Sequence, residues 1–274
     1  MRALTLVAVL LAAGPQARGE EAGVDRTTVS FSDPARPGRV KAHTINGGIT
    51  VKGYEGKEVV VEARLRPGLD EGGRGDRYPG MKRLPNRTSG LSVEEEGNVV
   101  EIKTESWRTP ADLVIQVPFD TSLELGCVND GDIVVDQARG EVEAQNVNGS
   151  ITLGRISGAA LANTTNGEVR VSFARLEPGK AMSFVTLNGN VDVTLPRGTK
   201  ANLTLKIDND GDVYSDFEIA TRSAPVTPAE SGARRKDGRY VLKVDRSVYG
   251  TINGGGQELT LKTFNGDILV REAK

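Results

Sequence analysis

Apolar and polar residues alternate with a period of two over most of the chain from Val40 to Val270, and the alternation restarts after each Asn-Gly step. Two residues beyond the glycines stand Ile49, Ile133, Ile151, Val169, Val191, Val213 and Ile268. Four beyond stand Val51, Val135, Leu153, Val171, Val193 and Val270, with Ser215 the exception. Between them lie mostly polar residues: Thr50, Val134, Thr152, Arg170, Asp192 and Leu269. Side chains two apart share one face of an extended strand, so each turn launches a β-branched strand with one buried face. Further strand-like runs are Thr28–Phe31, Glu58–Leu65, Val99–Lys103 and Leu113–Val117. No stretch has the period of a long amphipathic helix.

The turns form a repeat. Asn-Gly occurs at Asn46-Gly47, Asn148-Gly149, Asn166-Gly167, Asn188-Gly189, Asn253-Gly254 and Asn265-Gly266, and Asn-Asp-Gly ends at Gly131 and Gly211. From Gly131 the glycines fall at 149, 167, 189 and 211, in steps of 18, 18, 22 and 22. The turn is often preceded by Thr, as at Thr44, Thr164, Thr186, Thr251 and Thr263, with Asn146 in the equivalent place. Asn and Gly both tolerate positive φ, which predicts tight turns. Gly254 departs from the pattern, because Gly255-Gly256-Gln257 follow it and alternation resumes only at Leu259. Two all-β architectures fit. In a β-solenoid, single-stranded and β-helix-like, rungs of about 20 residues stack in parallel and identical side chains form ladders. In an antiparallel sandwich, hairpins follow one another at each turn. The same residue types at the same phase favour the solenoid, with Asn or Thr ladders bonding along it.

Composition narrows the partners. The chain has 274 residues, 35 basic against 37 acidic, for a net charge of −2. It therefore has no bulk electrostatic footprint for nucleic acid or for an anionic membrane. One Cys and one His exclude an internal disulfide and leave too few ligands for an ordinary zinc site. No cofactor motif is present: phosphate loop, Gly-x-Ser-x-Gly, Ser-x-x-Lys and His-Glu-x-x-His are all missing. The expectation is a protein without cofactor or resident metal, and not an enzyme.

The N-terminus reads as a secretory signal peptide over residues 1–19: Met1-Arg2, an apolar run from Ala3 to Ala13, and Ala17-Arg18-Gly19 as a small-residue exit. The run is about half of the ~20 residues a membrane span needs, and no later stretch is apolar enough to cross. Residues 20–274 then form one exported β-repeat domain, placed in the periplasm, on the cell surface or outside the cell. Within it Arg66 to Gly90, rich in Gly and Pro, reads as a mobile insertion, and Ser223 to Gly238 as a loop.

The segments Ile45-Asn46-Gly47-Gly48-Ile49-Thr50-Val51 and Leu113-Val114-Ile115-Gln116-Val117-Pro118, with the repeated Asn-Gly-x-(Ile/Val)-x-(Val/Leu) rungs, resemble a bacterial exported β-strand-repeat domain of unknown function. That family is labelled "putative adhesin". The likeness runs from about Val40 to Val270. It implies a β-helix-like envelope protein that displays a surface to an envelope protein or glycan, and it brings no catalytic residues. Two other classes stand beside this reading, a polysaccharide-active β-helix enzyme and an envelope stress or assembly factor that binds another protein.

Individual candidates are few. Asp130 and Asp132, and Asp210 and Asp212, flank Gly turns and could offer oxygens to calcium, although neither segment matches the Asp-x-Asp-x-Asp-Gly loop or the glycine-rich nonapeptide repeat and a solvated turn explains them better. Arg74-Gly75-Asp76 is an integrin-type tripeptide in the insertion. Glu141/Glu143 and Asp130/Asp132 have the spacing of a glycosidase carboxylate pair, but aromatics are only 4 %, with Trp107 the one indole, which argues against a sugar cleft. His43 falls on the same face as Ile45 if the strand begins before it. Cys127 lies on the strand entering the Gly131 turn, on a face the pattern leaves open, with no evident activating partner.

Overall fold

The structure is a computed structural model that describes residues 24–66, 89–104, 110–177, 179–222 and 247–274. The leader, nearly all of the 66–90 insertion, the 223–238 loop, Arg74-Gly75-Asp76 and Trp107 lie outside the described residues.

Every regular element among the described residues is a strand. In chain order they are β1 (Val24–Ser30), β2 (Arg39–Asn46), β3 (Ile49–Tyr54), β4 (Glu58–Leu65), β5 (Leu91–Glu96), β6 (Val99–Thr104) and β7 (Ala111–Pro118). Then come β8 (Ser122–Asn129), β9 (Ile133–Asp136), β10 (Val142–Asn148), β11 (Ile151–Ile156), β12 (Ala160–Asn166), β13 (Val169–Phe173), β14 (Met182–Asn188) and β15 (Val191–Leu195). The last are β16 (Ala201–Asp210), β17 (Val213–Ser215), β18 (Ala220–Arg222), β19 (Val248–Ile252), β20 (Gln257–Asn265) and β21 (Ile268–Glu272).

These strands make two large mixed sheets. One has ten strands in the order β1-β4-β7-β3-β9-β11-β13-β15-β21-β17, the other eleven in the order β18-β19-β16-β20-β14-β12-β10-β8-β2-β6-β5. From β8 to β15 consecutive strands alternate between sheets, and each pairs in parallel with the strand two places on. Antiparallel pairing is confined to the ends: β1-β4-β7 and β5-β6 at one, β16-β19-β18 at the other.

The inward residues of both sheets meet in one apolar cluster, and the period-two pattern explains its composition. One column runs Ile49, Ile133, Ile151, Val169, Val191 and Ile268 across adjacent strands, all fully buried. In the opposite sheet Ala144 and Ala162 stand beside Phe184, whose ring lies 6.1 Å from that of Phe173. Small residues on two strands thus leave room for a large one on the third.

Strand order departs from chain order at both ends. The sequence places the Gly211 turn directly after the Gly189 turn. Instead β20 and β21 sit between β14–β15 and β16–β17, so the Gly266 turn touches both neighbours: Gly189 N–H donates to Asn265 O at 2.9 Å, and Gly266 N–H to Asp210 O at 2.8 Å. At the other end β2–β3 sits between β6–β7 and β8–β9. Turn chemistry at Gly189, Gly266 and Gly211 is interchangeable, so pattern alone could not rank the three.

Candidate functional site

The Asn-Gly corners carry the repeat's chemistry. Buried Thr164, Thr186 and Thr263 donate their hydroxyls to Gly149 O, Gly167 O and Gly189 O at 2.8–2.9 Å, and Asn146 Nδ2 does the same to Gly131 O at 2.9 Å. One residue pair further out, Asn148, Asn166, Asn188, Asn265 and Asn209 each donate Nδ2 to the Oδ1 of the next Asn, ending at Asn129, over 2.6–3.2 Å. The dipoles of this amide ladder all point the same way, which strengthens each bond.

The glycines have a role the sequence reading did not separate. The ladder Asn residues are extended; only the glycines have positive φ, from +132° to +157° at Gly47, Gly149, Gly167, Gly189, Gly211 and Gly266. A Cβ at any of these would lie under 3.0 Å from a carbonyl oxygen of the adjacent turn or strand. At the Gly131 corner it is Asp130 that turns positive, at φ 55°. The expectation that Asn-Gly supplies two positive-φ residues holds only at Asn253-Gly254, with φ 49° and 83°, and that turn lies outside the ladder.

Beyond the glycines a third ladder forms. Asp132 Oδ1 accepts Ser150 N–H at 2.7 Å, Asn190 Oδ1 accepts Asp267 N–H at 2.9 Å, and Asp267 Oδ1 accepts Asp212 N–H at 2.9 Å. Asp112 caps one end. It accepts Gly48 N–H at 2.8 Å and binds Arg66 in a fork at 2.6–3.0 Å. Partial burial would raise the Asp112 carboxyl, but the Arg66 hydrogen bonds and the Gly48 N–H outweigh it and hold it below the usual carboxylate value. Asp130/Asp132 lie at the β8–β9 turn and Asp210/Asp212 at the β16–β17 turn, five strand pairings apart, with one member of the first pair engaged as a backbone acceptor. Among the described residues no group of three His, Cys, Asp or Glu side chains is placed to hold a metal ion.

The remaining candidates separate by face. Cys127 is buried in the inward Thr column, beside Thr44 and Asn146. Burial, and then the negative charge of Asp132, push its thiol up to about 12, so the thiolate is suppressed. Glu141 points outward and pairs with Lys180, which lowers its carboxyl. Glu143 accepts from Gln145 Nε2 at 2.9 Å. His43 lies on the same exposed face as Ile45, its ring folded over Gly126.

That outer face of the eleven-stranded sheet holds the feature the sequence reading missed. The residue before each corner Asn projects outward, and register aligns Ile45, Val128, Val147, Thr165, Leu187 and Phe264 in one row across six adjacent strands. The five apolar members stay 41–49 % exposed. Beside it runs a row of His43, Gly126, Gln145, Asn163, Val185 and Lys262. A groove of roughly 730 Å³ lies between the rows, with the His43 ring packed over Gly126 in its wall. The signal was legible: in Thr-x-Asn-Gly the x position alternates to the side opposite the buried Thr, and in these six segments it holds only Ile, Val, Thr, Leu or Phe.

No family model matches the chain. No curated protein matches it either. Solved structures similar to it include a "putative cell adhesion protein" of Clostridium sporogenes, 10 % identical over 91 % of this chain and 100 % of that one, with a TM-score of 0.46. A "putative adhesin" of Bacteroides fragilis is 8 % identical over 90 % and 96 % at a TM-score of 0.30. Another, of Parabacteroides merdae, is 9 % identical over 93 % and 98 % at 0.28. At these identities and scores the likeness transfers neither activity nor partner. Among the described residues no helix is long and apolar enough to cross a membrane, which says nothing of a β-barrel.

Proposed function

We propose that this chain is an exported, non-catalytic, adhesin-like binding module of the bacterial envelope, and that the outer face of the eleven-stranded sheet is its binding surface. One observation carries the reading: an aligned row of exposed apolar side chains beside a groove, on a scaffold that three hydrogen-bonded ladders hold rigid. Exposed apolar rows of this extent mark interaction surfaces. The two sheets read as opposite walls of a β-solenoid, each turn of which is one strand per sheet joined at an Asn-Gly corner. The parallel pairing of every second strand supports this over a sandwich of hairpins, in which consecutive strands would pair with each other. Export rests on the leader-like N-terminus.

The test uses the exported protein and a panel of peptidoglycan, exopolysaccharide and envelope-membrane fractions. Co-sedimentation and reducing-end release are read on the same samples. The expected result is retention by at least one fraction, reduced more than tenfold by Val128→Asp with Val147→Asp, and no release. A tenfold loss corresponds to about 1.4 kcal/mol, a modest demand for two buried apolar anchors. Sugar release that disappears in Glu141→Gln or Glu143→Gln makes the protein a polysaccharide-active enzyme instead.

A further inference from the structure

We infer that the partner of this face is a second copy of the chain, docked face to face about a two-fold axis parallel to the strands and passing between β10 and β12. The inference rests on the reading of that face as a binding surface and names what it binds.

Period is the first argument. Side chains in the apolar row recur once per strand, every ~4.8 Å, whereas one face of an extended peptide repeats every ~6.8 Å and a helix advances ~5.4 Å per turn. Over six positions only another stack of paired strands stays in phase. A second copy presents the same row.

Shape is the second. The two-fold axis reverses the strand order while keeping each row opposite itself. Ile45 then faces the partner's Phe264, Val128 the partner's Leu187, and Val147 the partner's Thr165. In the neighbouring row Gly126, beneath the His43 ring, faces the partner's Val185, and Gln145 faces the partner's Asn163, amide to amide. The interface is isologous, as a closed dimer requires. At its margins Lys262 is held by Asp208 at 3.1 Å and Lys103 by Glu101 at 2.7 Å, so each lysine brings its own counter-charge.

Area is the third. Six strands and three residue rows, the third being Lys41, Glu124, Glu143, Leu161, Ser183 and Thr260 with Lys41 paired to Glu124 at 3.1 Å, cover about 29 by 20 Å, or about 1,200 Å² over both copies, the lower edge of the range for stable interfaces. Area does not set affinity, and the dimer is sought as a weak, reversible one, with Kd on the order of micromolar.

Sedimentation velocity on the exported protein tests this from about 1 to 100 µM, the span that brackets such a Kd. Dimer should build up across that range. Leu187→Glu with Phe264→Glu, and independently Thr165→Arg, should remain monomeric with an unchanged melting temperature, since all three positions are outward and at least partly exposed. A monomer throughout, or a dimer that survives both disruptors, overturns the proposal. The same samples are sedimented with envelope fractions. A monomer whose envelope retention is lost in Leu187→Glu with Phe264→Glu refutes the second copy and keeps the binding face; a monomer without retention refutes both.

Discussion

Within Thr-x-Asn-Gly, the three specified residues answer to three different forces. Thr supplies a buried donor to the carbonyl of the adjacent glycine, Asn a link in an amide ladder, and Gly the missing Cβ that lets turns stack. Two substitutions separate these. Gly167→Ala forces both a φ of +155° and a Cβ against Gly149 O, whereas Gly254→Ala meets nothing within 4 Å and carries only its positive φ. The second should cost about 1 kcal/mol and the first at least twice that, read from urea midpoints. Equal costs would mean that stacking is not what selects glycine. Cys127 occupies a Thr position in the ladder and offers Gly47 O no hydroxyl. Cys127→Thr should therefore stabilise by about 1 kcal/mol, with Gly47 O as acceptor; a lower melting temperature would refute that geometry.

Turns and strands together make the ladder, and its cap at Asp112 is the element most open to pH. Asp112 is ionised and held below its ordinary value by Arg66 and Gly48 N–H. A carboxyl depressed in the folded state contributes stability that is fully present above its unfolded value of about 4 and is lost as pH falls through the folded value. Asp112→Asn should lower the melting temperature at pH 7, and by much less at pH 3. The partners are more than a third exposed, so the effect at pH 7 should be no more than about 1 kcal/mol. An equal loss at both pH values would show that the fork with Arg66 does not act through charge.

For the whole molecule, the out-of-order ends decide how it resists fraying. Each terminal segment is held between two neighbours: β2–β3 between β6–β7 and β8–β9, and β20–β21 between β14–β15 and β16–β17. Removing residues 248–274 therefore opens a slot inside the sheets and deletes the buried Leu259, Leu261, Ile268 and Val270. That deletion should abolish a single cooperative melt. Removing β1, an edge strand with no fully buried side chain, should leave the melt cooperative and shift it by only a few degrees. Calorimetry on the two truncations separates the cases, and similar losses would mean that β20 and β21 are peripheral.

Most of this architecture was legible because the side-chain period of a strand is two and every corner repeats the same three constraints. Strand positions, the buried face, the Asn and Thr ladders and the all-β class follow from residues such as Thr164, Asn166 and Val169 alone. So does the exposed place of Leu187, although only alignment with Ile45, Val128 and Phe264 shows it as part of a row. Tertiary structure alone decided three things. It fixed the face of Cys127, which a strand's local pattern left open. It created the groove, because only strand pairing brings His43, Gly126 and Gln145 side by side. It set the order of the strands, since Gly189, Gly266 and Gly211 present the same bonds. Pairing among equivalent corners is settled by which buried faces fit together, and the local sequence does not encode that fit.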